Sequence, residues 1–168
     1  QYITRAEYQE KKTLIVKPTK DNRDSITELV SHSKRKIEAS VVTENLNRII
    51  VEIVSNKSRL VAIDEGEFIQ DLHTIVEEVT NKYKADVIIS TLDRNAKGEP
   101  WPGIGELLAK ADKVIKLTAI CTVCKKSASM TQCNMEMPED NILIGSETMF
   151  EARCRKHWSP PGHRNEKD

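Results

Sequence analysis

Residues 59–66 read Arg-Leu-Val-Ala-Ile-Asp-Glu-Gly, a short apolar run that ends in two acids and a glycine. A run this apolar suits a strand that is covered on both faces, as strands are in parallel sheets. Residues 13–16 (Thr-Leu-Ile-Val) and 86–92 (Asp-Val-Ile-Ile-Ser-Thr-Leu) are two further runs of this kind. We therefore predict three strands of a mainly parallel sheet.

Helical periodicity alternates with these strands. Apolar residues recur at three- and four-residue spacing between residues 68 and 79, which predicts a helix between the second and third strands. Residues 103–111 predict a shorter helix, and residues 114–118 predict another strand. Alternation of this kind is typical of an α/β domain with helices on both faces of the sheet.

The domain organisation follows from a change of character near residue 119. We expect an α/β domain over residues 1–118, a small cysteine-bearing β unit over residues 119–158, and a flexible tail over residues 159–168. Residues 1–12 resemble only the end of a helix. We therefore expect the first strand of the α/β domain to be missing from residues 1–168.

Charge and hydropathy exclude several classes of protein. Twenty-six Lys and Arg balance 26 Asp and Glu, so no overall positive field attracts nucleic acid or an acidic membrane. No apolar run approaches the roughly 18 residues that cross a bilayer, and residues 1–12 do not resemble a secretory signal. We expect a cytoplasmic protein that binds neither nucleic acid nor membrane.

Two short motifs suggest a metal site. Cys121-Thr-Val-Cys124 and Cys154-Arg-Lys-His157 each allow a tight knuckle that directs two ligands at one point. Together they supply the four tetrahedral ligands that zinc prefers, and a fully protein-ligated zinc is structural. The alternatives are a chance cysteine pair, a redox cysteine pair, and a site in which Cys133 replaces His157 as the fourth ligand.

The acids of the opening stretch suggest phosphate chemistry. An apolar strand that ends in Asp64-Glu65 has the Walker B pattern, in which the aspartate holds Mg²⁺, usually through water, and the glutamate can accept a proton. An exposed acidic turn is the alternative. Residues 92–101 follow the third strand, where α/β sheets place ligand-binding loops, although alone they favour a charged surface loop.

Taken together, the chain from about Leu14 to His157 resembles the thymidine kinases of the cellular and poxviral type. The segments that carry the resemblance are residues 14–23 (Leu-Ile-Val-Lys-Pro-Thr-Lys-Asp-Asn-Arg), Ser31-His-Ser33, Ile63-Asp-Glu-Gly-Glu-Phe68, Leu92-Asp93 with Gly98-Glu-Pro-Trp101, Lys116-Leu-Thr-Ala-Ile-Cys-Thr-Val-Cys124, and Phe150-Glu-Ala-Arg-Cys-Arg-Lys-His157.

The resemblance implies transfer of the ATP γ-phosphate to the 5′-hydroxyl of thymidine, the salvage step that gives dTMP. It makes Glu65 the base for that hydroxyl and Asp64 the support of Mg²⁺. The nucleotide-binding residues that it implies are Asp21, Arg23, Asp64, Glu65, Gly66 and Glu67. The thymidine-binding residues that it implies are Phe68, Leu92, Thr131 and Phe150, with the backbone of Asn141, Ile142, Leu143, Ile144 and Gly145 in a loop called the lasso.

The same resemblance implies cofactors and partners. These are structural zinc, Mg²⁺, ATP as phosphate donor, thymidine as acceptor, dTTP as a candidate feedback nucleotide, and a homo-oligomer, namely a tetramer.

Several positions depart from the family pattern. Its phosphate-binding loop has no counterpart in residues 1–168, and we expect that loop to precede Gln1. Ala96 stands where an aromatic ring is usual, Glu67 replaces a glutamine, Phe150 replaces a tyrosine, and Cys133 replaces an arginine.

These departures leave two other functions open. One is a non-catalytic, kinase-like half of a fused or tandem thymidine kinase that serves as a structural partner. The other is a zinc-ribbon protein that binds nucleic acid, which the neutral charge and scarce aromatics disfavour. If the loop is required, residues 1–168 alone should bind thymidine weakly and not phosphorylate it.

Overall fold

The computed structural model describes residues 9–20, 27–30, 36–135, 138 and 149–161. Within these residues the elements in chain order are β1 (Thr13–Lys17), β2 (Glu28–Val30), β3 (Lys36–Glu38), β4 (Val41–Val42), α1 (Leu46–Asn56), β5 (Leu60–Ile63), a 3₁₀ turn (Gly66–Phe68), α2 (Leu72–Asn81), β6 (Asp86–Ile89), α3 (Ile104–Lys110), β7 (Ala119–Ile120), β8 (Ser127–Ala128), β9 (Met130–Cys133) and β10 (Phe150–Arg153).

The main sheet has four parallel strands in the order β4-β1-β5-β6. Its centre is buried, because Leu14 and Val16 in β1 and Val61 and Ile63 in β5 are each at most 3% exposed. The predicted mixed α/β fold with a mainly parallel sheet is confirmed. The strands predicted at residues 13–16 and 59–63 are present, and the one predicted at 86–92 ends at Ile89.

The helices bury one face each; the sequence predicted α2 and α3, whereas α1 was not predicted. In α1 the buried residues are Ile49 and Ile53, and in α3 they are Ile104 and Leu107. In α2 they are Leu72, Ile75 and Val79. The periodic segment that begins at Phe68 is therefore helical only from Leu72, because residues 66–68 form the 3₁₀ turn. No helix in the described residues is long and apolar enough to cross a membrane.

The prediction of a strand at residues 114–118 is wrong. The described chain has no strand there, and every residue from 111 to 120 is exposed. Strand structure needs a neighbouring strand for its backbone groups, and no described strand pairs with this segment. Regular structure resumes only at β7, which pairs antiparallel with β8.

The chain divides into two compact units. One comprises residues 1–92 and 102–107 and contains the parallel sheet. The other comprises residues 93–101 and 108–168. In this second unit β9 and β10 form an antiparallel pair, and the Thr122 N–H donates to the Ala152 carbonyl at 3.0 Å, which joins the turn after β7 to β10.

Candidate functional site

Two backbone knuckles present the cysteine and histidine side chains. Cys121 directly follows β7, and its N–H donates to the Lys126 carbonyl at 2.8 Å, while the Lys125 N–H donates back to the Cys121 carbonyl at 3.0 Å. Cys154 directly follows β10, and its carbonyl accepts the His157 N–H at 3.0 Å. Each tight turn thus aims two side chains in one direction.

The four side chains meet at one point. Cys124 Sγ lies 3.8 Å from Cys154 Sγ, and His157 Nδ1 lies 3.3 Å from Cys154 Sγ and 3.8 Å from Cys121 Sγ. Zinc bond lengths at a tetrahedral angle put two sulfurs about 3.8 Å apart and a sulfur and a nitrogen about 3.6 Å apart. All four ligand atoms lie within 4.8 Å of one another, so the group could hold a metal ion, with Nδ1 as the histidine ligand.

Electrostatics at this cluster favour a bound cation. Burial opposes the Cys121 thiolate, but backbone hydrogen bonds at Cys124, Cys154 and Val123 lower the pKa of its thiol to about 5. The pKa of Cys124 is raised, because burial and the neighbouring thiols of Cys121 and Cys154 outweigh the hydrogen bond from Lys126. Thiolates packed this closely repel one another unless a cation lies between them.

Cys133 lies outside this group. It is buried at the end of β9, and its thiol donates to the Met135 carbonyl at 3.3 Å. The structure therefore brings together the ligand set with His157, not the alternative set with Cys133. All four cysteines are free thiols.

The acidic turn after β5 is anchored to both neighbouring strands. The Asp64 N–H donates to the Val16 carbonyl of β1 at 3.1 Å, and the Gly66 N–H donates to the Ser90 carbonyl after β6 at 3.0 Å. Between them Glu65 adopts a left-handed backbone with φ 47°. All strands of the sheet are parallel, so the carboxylates of Asp64 and Glu65 lie at the carboxyl ends of the strands. Ligands of α/β folds bind at these ends.

Glu67, on the 3₁₀ turn that follows, is nearly buried at 8% exposed. Its Oε2 accepts the Thr91 hydroxyl at 3.0 Å and the Leu92 N–H at 3.2 Å. Burial, followed by the charge of Glu65, raises the pKa of Glu67 to about 8. A carboxyl group with this pKa is mostly protonated at neutral pH, unlike an ordinary surface glutamate.

The other predicted site residues fall into three groups. Phe68 and Leu92 belong to the unit with the parallel sheet, where the Phe68 N–H donates to the Glu65 carbonyl at 3.1 Å. Thr131 and Phe150 belong to the second unit, where the Thr131 carbonyl accepts the Trp158 indole N–H at 3.0 Å. Asp21, Arg23 and Asn141 to Gly145 lie outside the described residues.

Two residues at the strand ends were not identified from the sequence. Thr91 holds the Glu67 carboxylate. Glu44, two residues after β4, accepts the Thr19 hydroxyl at 2.6 Å and the Lys20 N–H at 2.9 Å. These bonds outweigh burial and lower the pKa of Glu44. Each residue lies two positions after the end of a parallel strand, and this position was the feature of the sequence that could have identified it.

Asp93 is the second residue of the loop predicted at residues 92–101 and is the centre of a small ion cluster. Its carboxylate accepts two bonds from Arg94, at 3.1 and 2.9 Å, and one from Lys116 at 3.1 Å. Arg94 also contacts Met130 Sδ at 3.4 Å. Ala96, in the same loop, is buried. The charged residues of this loop therefore join it to Lys116 and Met130 of the second unit, which the sequence did not predict.

Comparison with known proteins agrees with this geometry. The profile of the family described as thymidine kinase matches residues 1–158. A thymidine kinase of Thermococcus kodakarensis is 36% identical, over 95% of this chain and 85% of its own length. A thymidine kinase of Mycoplasmoides gallisepticum is 34% identical, over 95% of this chain and 73% of its own length. The chain belongs to the thymidine kinase family.

Proposed function

We propose that this protein transfers the γ-phosphate of ATP to the 5′-hydroxyl of thymidine. The chain belongs to the thymidine kinase family, and the observation that carries the proposal is the position of Glu65. It lies two residues after a buried parallel strand, on a turn whose backbone is hydrogen-bonded to Val16 of β1 and to Ser90 just after β6. A carboxylate held in this way is suited to accept the proton of an attacking hydroxyl.

In the proposed reaction Glu65 orients the 5′-hydroxyl and accepts its proton. Phosphoryl transfer needs little covalent chemistry from the protein, so positioning and charge stabilisation supply most of the rate. Asp64 is a carboxylate at the end of the same strand, which suits it to hold Mg²⁺ through water. When bound, that ion would neutralise charge on the transferred phosphate. Asp21 and Arg23 are the further residues that we assign to the phosphate side.

For the acceptor nucleoside we assign Phe68, Leu92, Thr131 and Phe150, with the backbone of residues 141–145. The proposed zinc ligands Cys121, Cys124, Cys154 and His157 connect the turn after β7 to the end of β10. A zinc ion there would hold the end of β10, the strand that follows residues 141–145 in the chain. This zinc has a structural role in the proposal and takes no part in phosphate transfer.

The test is phosphate transfer from ATP to thymidine by the natural protein, followed by chromatography of the nucleoside products. We expect dTMP, and much less product from deoxycytidine. Sedimentation of the same preparation tests the proposed tetramer, and added dTTP tests feedback. Absence of dTMP in a preparation that binds thymidine and ATP would contradict the proposed reaction.

A further inference from the structure

Glu67 has an unbalanced set of hydrogen bonds. Its Oε2 accepts two, from the Thr91 hydroxyl and the Leu92 N–H. Its Oε1 is also buried, but it accepts no hydrogen bond from a donor among the described residues. A buried carboxylate oxygen without a donor is costly, because a charged acceptor has lost its water and gained no hydrogen bond in return. The carboxyl is therefore better suited to carry a proton on that oxygen.

The surroundings of Glu67 agree with this interpretation. Among the described groups that face it, the Thr91 hydroxyl and the Leu92 amide come from the segment after β6, and Glu65 comes from its own turn. Glu65 is the titratable group of the three, and its charge acts on Glu67 together with burial. Two acids that share a hydrogen bond and repel each other's charge do not both ionise readily, so one of them retains its proton.

We propose that Glu67 is a positioning residue, which carries a proton at neutral pH and donates it in a hydrogen bond to the carboxylate of Glu65. The hydrogen bond leaves the negative charge on Glu65 and fixes the direction of its carboxylate. Its catalytic consequence rests on the proposed function, in which Glu65 is the base. Above the pKa of Glu67 the proton is lost and two negative charges face each other.

Glutamine is the matched replacement at this position. In Glu67→Gln the amide oxygen can accept the bonds from Thr91 and Leu92, and the amide NH₂ replaces the acid O–H as donor toward Glu65. Glu67→Met has a similar length but neither donor nor acceptor. The two variants separate the need for a hydrogen-bond donor from the need to fill the space.

The first measurement does not depend on activity. In protein labelled with ¹³C at glutamate side-chain carboxyls, one resonance should titrate with a midpoint near pH 8 and be absent from Glu67→Gln. A Glu67 resonance that titrates near the ordinary value of about 4.3 overturns the proposal. If the resonance titrates near pH 8 and the protein makes no dTMP, the hydrogen bond is supported and only the proposed function fails.

The second measurement is the pH dependence of thymidine phosphorylation. Wild-type turnover should fall as the pH rises through about 8, whereas the turnover of Glu67→Gln should show no such fall, because its amide donor does not ionise. Glu67→Met should lower turnover about 10- to 100-fold, as expected for one lost bond to a charged group, with little change in thymidine affinity. Loss of turnover in Glu67→Gln equal to that in Glu67→Met overturns the proposal, and so does an unchanged alkaline fall.

Discussion

Cys124 Sγ and Cys154 Sγ lie 3.8 Å apart, although 30 positions separate them in the chain. A disulfide would bring these atoms to about 2.05 Å, so the distance is that of two ligands around one ion. A metal ion bound to these cysteines would join the turn between β7 and β8 to the end of β10. Because such a site does not exist in an unfolded chain, the free energy of metal binding adds to the free energy of folding.

We expect one zinc ion per chain by metal analysis. Cys154→Ser should lower the zinc content well below one, because serine is a poor zinc ligand. Chelation of wild-type protein should increase hydrogen exchange in β9 and β10. Cys133→Ser is the matched control, since Cys133 is also a free thiol of the second unit but lies outside the four-ligand group. Equal zinc loss in both variants would refute the ligand assignment.

Glu65→Gln should reduce turnover by about 10²–10⁴-fold, the usual contribution of a general base. Thymidine affinity should change little, because glutamine keeps the shape of the side chain and removes only its basicity. Steady-state kinetics and calorimetric titration with thymidine measure the two effects. Glu106→Gln removes one exposed negative charge from α3 and serves as the control. A large loss of thymidine affinity in Glu65→Gln would indicate a structural role.

The sheet was predictable because buried strands leave a direct mark on composition. β1 and β5 are short β-branched or aliphatic runs, and both are central in the sheet. The segment 114–118 has the same kind of composition but is exposed and forms no strand in the described chain. The composition of a segment indicates how readily it forms a β-strand. A strand also needs a neighbouring strand to pair with, and the local sequence does not show whether one is present.

The candidate site was predictable only where local spacing determines it. Cys121 and Cys124 are three residues apart on one turn, so their convergence follows from the motif. The protonation of Glu67 depends instead on burial and on the segment after β6, 24 positions away at Thr91. A contact of that range has no local sequence signature.

Asp93→Asn should weaken the second unit at neutral pH. The hydrogen bonds from Arg94, then those from Lys116, lower the pKa of Asp93 from 3.8 to about 2. A lowered folded-state pKa stabilises the protein above pH 3.8, and that stabilisation is lost as the pH falls toward 2. We expect Asp93→Asn to lower the free energy of unfolding at pH 7 by about 1–2 kcal/mol, since partial exposure and the adjacency of Arg94 reduce the gain.

Urea unfolding followed by tryptophan fluorescence measures this difference, because both tryptophans, Trp101 and Trp158, belong to the second unit. The difference between variant and wild type should disappear near pH 2. Asp112→Asn removes an exposed carboxylate of the same unit and should have little effect. A difference that persists unchanged at low pH would show that the Asp93 charge is not its cause.

Gly66→Ala should destabilise the parallel-sheet unit and misplace Glu65. A Cβ at residue 66 would lie 2.8 Å from Ile89 Cγ2 and 2.9 Å from Leu72 Cδ2, too close for carbon atoms in contact. The Ile89 methyl is on a branched carbon of β6 and has little freedom to move. Overpacking of this kind costs about 1–3 kcal/mol. Relief of the clash requires the turn to shift, and that shift would move Glu65, the preceding residue.

Gly105→Ala is the matched control, since it makes the same chemical change within α3. A Cβ there meets nothing within 4 Å, and replacing a helical glycine by alanine stabilises a helix by about 0.5–1 kcal/mol. Denaturant unfolding followed by circular dichroism should therefore move in opposite directions for the two variants. Turnover should fall in Gly66→Ala alone. An unfolding midpoint of Gly66→Ala equal to that of the wild type would show that the turn can accept a methyl group, and that its contact with β6 does not fix the position of Glu65.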